Sequence, residues 1–159
     1  FAGAFLGRHA GFLVGALSAL LSNAFFGQGS WTPWQMYAWG LVGYLGGLLA
    51  AFTSTHPTSS ANLVGSHDEK THKLPPFLLM IWAFISGPFF GFVMNVYFII
   101  GFVHPLTIES ALLAFAASIP FDLTHGVATL IFLVLLWFSW QKSVNRILTK
   151  YNLTGRSFR

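Results

Sequence analysis

Long stretches of this chain contain no charged side chain. No Asp, Glu, Lys or Arg occurs between residues 9 and 67, and none between residues 74 and 108. These four types make up 8% of the chain, and 55% is hydrophobic, whereas about a quarter of a soluble domain is charged. So few charges cannot coat a soluble globule, and the 18% aromatic content excludes a disordered chain. The sequence therefore predicts an integral membrane protein.

Four apolar stretches are long enough to cross a bilayer as helices. They cover residues 9–26, 34–52, 77–103 and 107–141, and a linker rich in Ser, Thr and His occupies residues 53–75. Beyond residue 141, apolar and basic positions fall on opposite helix faces, which predicts an amphipathic extension over residues 142–153. Residues 1–7 are expected to be the end of a preceding helix of a longer protein. The expected architecture is one all-α transmembrane domain.

The basic residues set the expected orientation, because Lys and Arg near the ends of spans remain in the cytoplasm. With Arg8 placed there, four crossings bring all 8 Lys and Arg to the same side, including those of the linker and the C-terminus. The connections at residues 24–33 and 103–110 contain no Lys or Arg and are expected outside. Membrane topology thus explains the net charge of +4, and no basic stripe indicates a nucleic-acid partner.

Small residues recur at every fourth position in three of the spans. This spacing lets helix backbones approach closely, which is how helices associate in lipid. The sequence therefore predicts tight packing within the bundle, with a docking face for another subunit as the alternative. The three series are Gly3, Gly7, Gly11, Gly15 and Ala19; Gly43, Gly47 and Ala51; and Ala83, Gly87 and Gly91.

The segment at residues 23–36 is unusually rich in amide and aromatic side chains. Thr32 and Gln35 have the spacing of a capping box, which predicts an N-cap at Thr32. Capping leaves the side chains of Asn23, Gln28, Trp31 and Trp34 unexplained. Amides beside aromatic walls suit an amide- or ring-bearing ligand, whereas paired tryptophans are also typical of lipid anchors at a membrane interface. Both interpretations stay open at this point.

Asn95, Asp122 and His125 are the candidate functional residues deep within the predicted spans. Asn95, with Tyr97 nearby, is either an interhelical hydrogen-bond donor or part of a ligand site. Asp122 and His125 lie on adjacent turns of one helix. An ionisable residue at membrane depth indicates function, but the two could also neutralise each other as a structural latch.

Motifs for catalysis and metal binding are missing from the sequence. It contains neither a nucleotide-binding P-loop nor a G-x-S-x-G nucleophile turn, and it has no Cys. His67 and His72 are five positions apart, which does not fit a zinc-binding helix. A Ser86–His125 pair is the one arrangement that an intramembrane hydrolase could use. We expect no catalytic residue, no metal and no cofactor.

Two segments resemble the S-components of energy-coupling factor (ECF) vitamin transporters, most closely the cobalamin-specific branch. The first is G-R-H-A-G-F-L-V-G-A-L-S-A-L-L-S-N-A-F-F-G-Q-G-S-W-T-P-W-Q-M, from Gly7 to Met36, and the second is the P-F-D-x-x-H-G pattern from Pro120 to Gly126. Ser30 stands where the family usually has Pro. The resemblance implies a six-helix bundle of which this chain contains the end of helix 2 and helices 3–6.

The resemblance also implies a function. Such a subunit sits in the bacterial cell membrane with a cytoplasmic C-terminus, contacts lipid, and binds a vitamin from outside. It delivers the vitamin by toppling against a transmembrane coupling subunit (T-component) that works with two ATPase subunits. The expected ligand is cobalamin, with another vitamin or nucleobase-like nutrient as the alternative. Its expected binding residues are Asn23, Gln28, Trp31, Trp34, Gln35, Asn95, Tyr97, Asp122 and His125. A structural membrane subunit would instead pair Asn95, Asp122 and His125 with each other and leave no cavity.

Overall fold

All regular elements in the described part of the chain are α-helices. The computed structural model describes residues 1–54 and 75–151. Helices suit an apolar chain in hydrocarbon because each helix satisfies its own backbone hydrogen bonds. The elements are α1 (Ala2–Leu6), α2 (Arg8–Phe26), α3 (Thr32–Ser54), α4 (Phe77–Phe102) and α5 (Ile108–Lys150).

Helices α2 to α5 are each long and apolar enough to span a membrane, and they fall on the four predicted spans. This is the architecture of a multi-pass membrane protein. The amphipathic extension predicted over residues 142–153 begins as a direct continuation of α5, which ends at Lys150. Most of the predicted linker at residues 53–75 lies outside the described residues, as do His67 and His72. The six-helix bundle stays a prediction.

The long helices pack in chain order, α2 against α3, α3 against α4, and α4 against α5. The short α1 lies on α2 and α3. Residues 27–31 join α2 to α3, and residues 103–107 join α4 to α5. These two connections lie at one end of the bundle, here named the loop end, because Ser30 of the first is hydrogen-bonded to Tyr97 near the end of α4.

Glycines bring the backbones of α2 and α3 into direct contact. A Cβ atom added at Gly11 or at Gly43 would collide with the backbone of the other residue. One turn along, a Cβ at Gly15 would collide with the backbone of Trp39. The predicted close packing of these small residues is therefore present in the first hairpin.

Close contacts at glycines also join α4 to α5. A Cβ atom at Gly87 would meet the backbone of Gly126, and a Cβ at Gly126 would meet the carbonyl oxygen of Phe84. Gly7 differs from the predicted series, because no atom lies near the position of its missing Cβ. Its φ of 92° places it in the left-handed region that favours glycine, where it separates α1 from α2.

The surface of the bundle is apolar, and small residues form its closest helix contacts. The buried hydrophobic residues include Ala38 and Ala83 but also the larger Leu79 and Trp137, whereas Leu135 exposes more than half of its surface. A soluble monomer rarely exposes large contiguous apolar patches. Large apolar side chains on the surface and small residues at the closest helix contacts are what a lipid environment favours.

We predict that Gly43→Ala destabilises the protein. Its new methyl group would collide with the backbone of Gly11, and such overpacking costs about 1–3 kcal/mol. The midpoint of thermal unfolding, measured in detergent, should fall by several degrees. Gly101→Ala is the matched control, because Gly101 also lies in a helix but has open space around its missing Cβ. An equal shift in the two variants would contradict the glycine-contact explanation.

Candidate functional site

The nine residues predicted to bind ligand lie in three separate places. One group surrounds the α2–α3 connection at the loop end. A second lies between α4 and α5. His125 lies apart from both groups and lines a partly open cavity between the helices. The first group contains Asn23, Gln28, Trp31, Trp34, Gln35 and Tyr97, and the second contains Asn95 and Asp122.

Thr32 is the centre of the hydrogen bonds at the loop end. Its buried hydroxyl accepts from Asn23 Nδ2 at 3.1 Å and from the backbone N–H of Gly29 at 3.2 Å. The same hydroxyl donates to Gln28 Oε1 at 2.9 Å. A hydroxyl has one hydrogen and two lone pairs, so Thr32 uses its full capacity. This arrangement fixes the connection between α2 and α3 from the inside.

The two remaining amide contacts complete this network. Asn23 Nδ2 donates its second hydrogen to Gln35 Oε1 at 2.6 Å, and Gln28 Nε2 donates to the carbonyl of Leu20 at 3.3 Å. The amides that the sequence assigned to a ligand therefore hydrogen-bond to the protein itself. Asn23 is buried, whereas Gln28 is exposed and the Gln35 side chain is half-buried.

The predicted capping box is wrong. Helix α3 begins at Thr32, and the backbone N–H of Gln35 bonds to the carbonyl of Trp31 at 2.9 Å. The Thr32 hydroxyl is directed to Asn23, Gly29 and Gln28 instead of to the start of its own helix. Tertiary partners therefore take the hydroxyl that the local spacing had assigned to a cap.

Aromatic side chains cover the loop end. The ring centroids of Trp34 and Tyr97 are 5.8 Å apart, and Tyr97 also shares a hydrogen bond of 2.5 Å with Ser30. Trp31 lies over Gly29 and remains exposed. A shallow depression of about 320 Å³ is lined by Trp34 and its neighbours Pro33 and Tyr37. The loop end thus presents flat aromatic surfaces on a hydrogen-bonded base.

The second group forms a chain of hydrogen bonds between α4 and α5. Asn95 Nδ2 donates to Ser118 Oγ at 2.7 Å, and Ser118 Oγ donates to Asp122 Oδ2 at 2.8 Å. A Cβ atom at Gly91 would occupy the position of the Asp122 carboxylate. Glycine at this position therefore makes room for the carboxylate of Asp122.

The Asp122–His125 latch considered from the sequence is not formed. Asp122 bonds to Ser118, whereas the His125 ring stacks on Phe90 with a centroid distance of 5.6 Å. Ser86 lines the same cavity as His125, but its hydroxyl donates to the carbonyl of Ala83 at 2.7 Å. No hydrogen bond joins Ser86 to His125 among the described side chains.

The roles of Ser118 and of the Thr32 hydroxyl were not predicted from the sequence. Ser118 precedes Asp122 by four positions, which places the two side chains on one helix face, so this partner could have been found. Among residues 1–54 and 75–151, no three His, Asp or Glu side chains come close enough to hold a metal ion.

Comparisons with models of protein families, with curated proteins and with solved structures find no match to this chain.

We predict that Thr32→Val destabilises the loop end. The variant keeps the shape of the side chain but leaves Asn23 and the N–H of Gly29 each without one partner, and an unsatisfied buried polar group costs about 1–3 kcal/mol. The thermal unfolding midpoint should fall by several degrees.

Thr124→Val is the matched control, because Thr124 is exposed and its hydroxyl bonds only to the carbonyl of Pro120 within its own helix. A midpoint unchanged by Thr32→Val would mean that the network contributes no stability.

Proposed function

We propose that this chain is the substrate-binding subunit of an ECF-type importer and that its ligand is cobalamin. The proposal is based on the structure of the loop end. There, the segment that resembles the cobalamin-specific S-components forms a fixed base under the exposed ring of Trp31 and the half-buried ring of Trp34. Flat aromatic walls with a few oriented polar groups suit a large, flat, ring-bearing ligand.

The hydrogen bonds of Thr32 support the proposal by giving the amides a definite role. Asn23, Gln28 and Gln35 support the connection from within, so that Trp31 and Trp34 are presented to a ligand without a large loss of conformational freedom. A site whose rings are already oriented binds more tightly because less entropy is lost on binding. In this proposal the amides position the site, and the aromatic residues make the contact.

The lack of a nucleotide-binding motif agrees with this role. An importer subunit without a P-loop needs partners that hydrolyse ATP, and the family supplies them as a coupling subunit and two ATPases. The proposed orientation places the loop end outside the cell and the basic end of α5 in the cytoplasm. Arg8 and the Lys and Arg residues from 142 onward would then face anionic lipid head groups.

A second candidate within the class is an S-component for a smaller nutrient. The cavity that contains His125 measures about 280 Å³, near the lower limit of typical small-molecule sites. A structural membrane subunit is favoured only by the pairing of Asn95 with Asp122 through Ser118. The cavity is the feature that separates a binding subunit from a structural one.

We predict that the purified protein retains cobalamin. Cobalamin is coloured, so protein incubated with it and then desalted should keep its visible absorbance. A folded sample, checked by its thermal transition, that retains no colour would contradict the cobalamin assignment.

Trp34→Ala should reduce the retained cobalamin by about tenfold or more, because stacking and burial of one aromatic ring contribute on the order of 1–3 kcal/mol. Trp140→Ala is the control, since Trp140 stacks on Phe1 with a centroid distance of 5.3 Å and belongs to neither the loop end nor the cavity of His125. Equal losses would show that the two rings act only through the fold.

A further inference from the structure

The cavity that contains His125 has a distinctive set of polar groups. It measures about 280 Å³ and is lined by residues of all five helices. Most of the lining is apolar, and Gly15 and Gly43 line it at the contact between α2 and α3. The side chains that can form hydrogen bonds there include three hydroxyl groups and one imidazole, those of Ser18, Ser86, Thr129 and His125.

All three hydroxyl hydrogens are already used by the backbone. Ser18 donates to the carbonyl of Val14 at 2.7 Å, and Ser86 donates to the carbonyl of Ala83 at 2.7 Å. Thr129 donates to the carbonyl of His125 at 2.8 Å. A hydroxyl has a single hydrogen and two lone pairs, so each of these oxygens can only accept a further hydrogen bond. Three acceptor oxygens therefore belong to residues that line the cavity, and the helices fix their positions.

Aromatic rings form one wall of this cavity. His125 stacks on Phe90 with an interplanar angle of 27°, and Trp39 meets Phe90 edge-on with a centroid distance of 6.1 Å. Within the described part of the chain, the ring nitrogens of His125 form no hydrogen bond. A neutral imidazole offers one donor and one acceptor. A flat ring against this wall would therefore meet both an aromatic face and a free polar partner.

The geometry points to a compact, uncharged nitrogen heterocycle that carries amino groups, of the aminopyrimidine type, as the ligand of this cavity. Its amino N–H groups would donate to the fixed hydroxyl oxygens, and its ring would stack beside Phe90 and Trp39. No carboxylate lines the cavity, so a cation would lack a counter-charge at membrane depth. The inference rests on the proposed function only in taking the chain to bind a nutrient.

The test compares two probes that share one ring. Protein in phosphatidylcholine nanodiscs is titrated with 2,4-diaminopyrimidine and with unsubstituted pyrimidine by isothermal titration calorimetry, at an alkaline pH at which both probes are uncharged. The amino groups add donors for the acceptor oxygens, and each such hydrogen bond contributes about 0.5–1.5 kcal/mol. The diamino compound should therefore bind about tenfold more tightly than pyrimidine. Equal affinity for the two probes would overturn the inference.

A pair of threonine variants locates the binding. Thr129→Val removes one acceptor without changing the side-chain shape, and it should weaken diaminopyrimidine binding by about threefold to tenfold. Thr124→Val is the control, because Thr124 has the same type of backbone hydrogen bond on the same helix but does not line the cavity. Equal effects of the two variants would overturn the placement of the ligand.

The experiments distinguish a failure of this inference from a failure of the cobalamin assignment. Retention of cobalamin without any preference for the diamino probe would overturn this inference and support the proposed function. A preference for the diamino probe that Thr129→Val abolishes, in protein that retains no cobalamin, would support this inference and overturn the cobalamin assignment.

Discussion

Direct contact between helix backbones holds this molecule together. In lipid, apolar side chains gain little by leaving one apolar environment for another, so helices associate through close packing and hydrogen bonds. Gly11 against Gly43 and Gly87 against Gly126 provide that packing in the two hairpins. The contact between α3 and α4 depends on larger groups, among them Trp82, whose Nε1 donates to the carbonyl of Val42 at 3.1 Å. The glycines therefore define two hairpins, and aromatic residues join them.

The same contacts determine where the polar groups lie. Gly91 is one turn from Gly87 and receives the Asp122 carboxylate in the space that a side chain would fill. Ser118 and Asn95 then complete a chain of hydrogen bonds at this interface. At the loop end, Thr32 uses its full hydrogen-bonding capacity on neighbouring side chains and backbone. The polar residues mainly stabilise the helices and the loop through hydrogen bonds to one another and to the backbone, and in both proposals the aromatic faces and the hydroxyl oxygens make the contacts to a ligand.

Much of the fold could be predicted from the sequence, because the charge-free stretches and the spacing of glycines report directly on membrane crossing and close packing. The site was less predictable. An amide side chain such as that of Asn23 can form hydrogen bonds with a ligand or with the protein. Its partners here are Thr32 and Gln35, which lie several positions away in the sequence. The Asp122–His125 pair was one of two alternatives, and it is not formed. Ser118, four positions earlier, donates its hydroxyl to Asp122, and His125 stacks on Phe90 of another helix.

The proposed function requires that the loop end faces the outside of the cell. The chain has no Cys, so single cysteines can report the side of the membrane without background. Ser30 and Ser143 are both exposed, the first at the loop end and the second near the end of α5. A membrane-impermeant maleimide applied to intact cells should label Ser30→Cys and should label Ser143→Cys only after the membrane is permeabilised. Labelling of Ser143→Cys but not Ser30→Cys in intact cells would contradict the orientation on which the account depends.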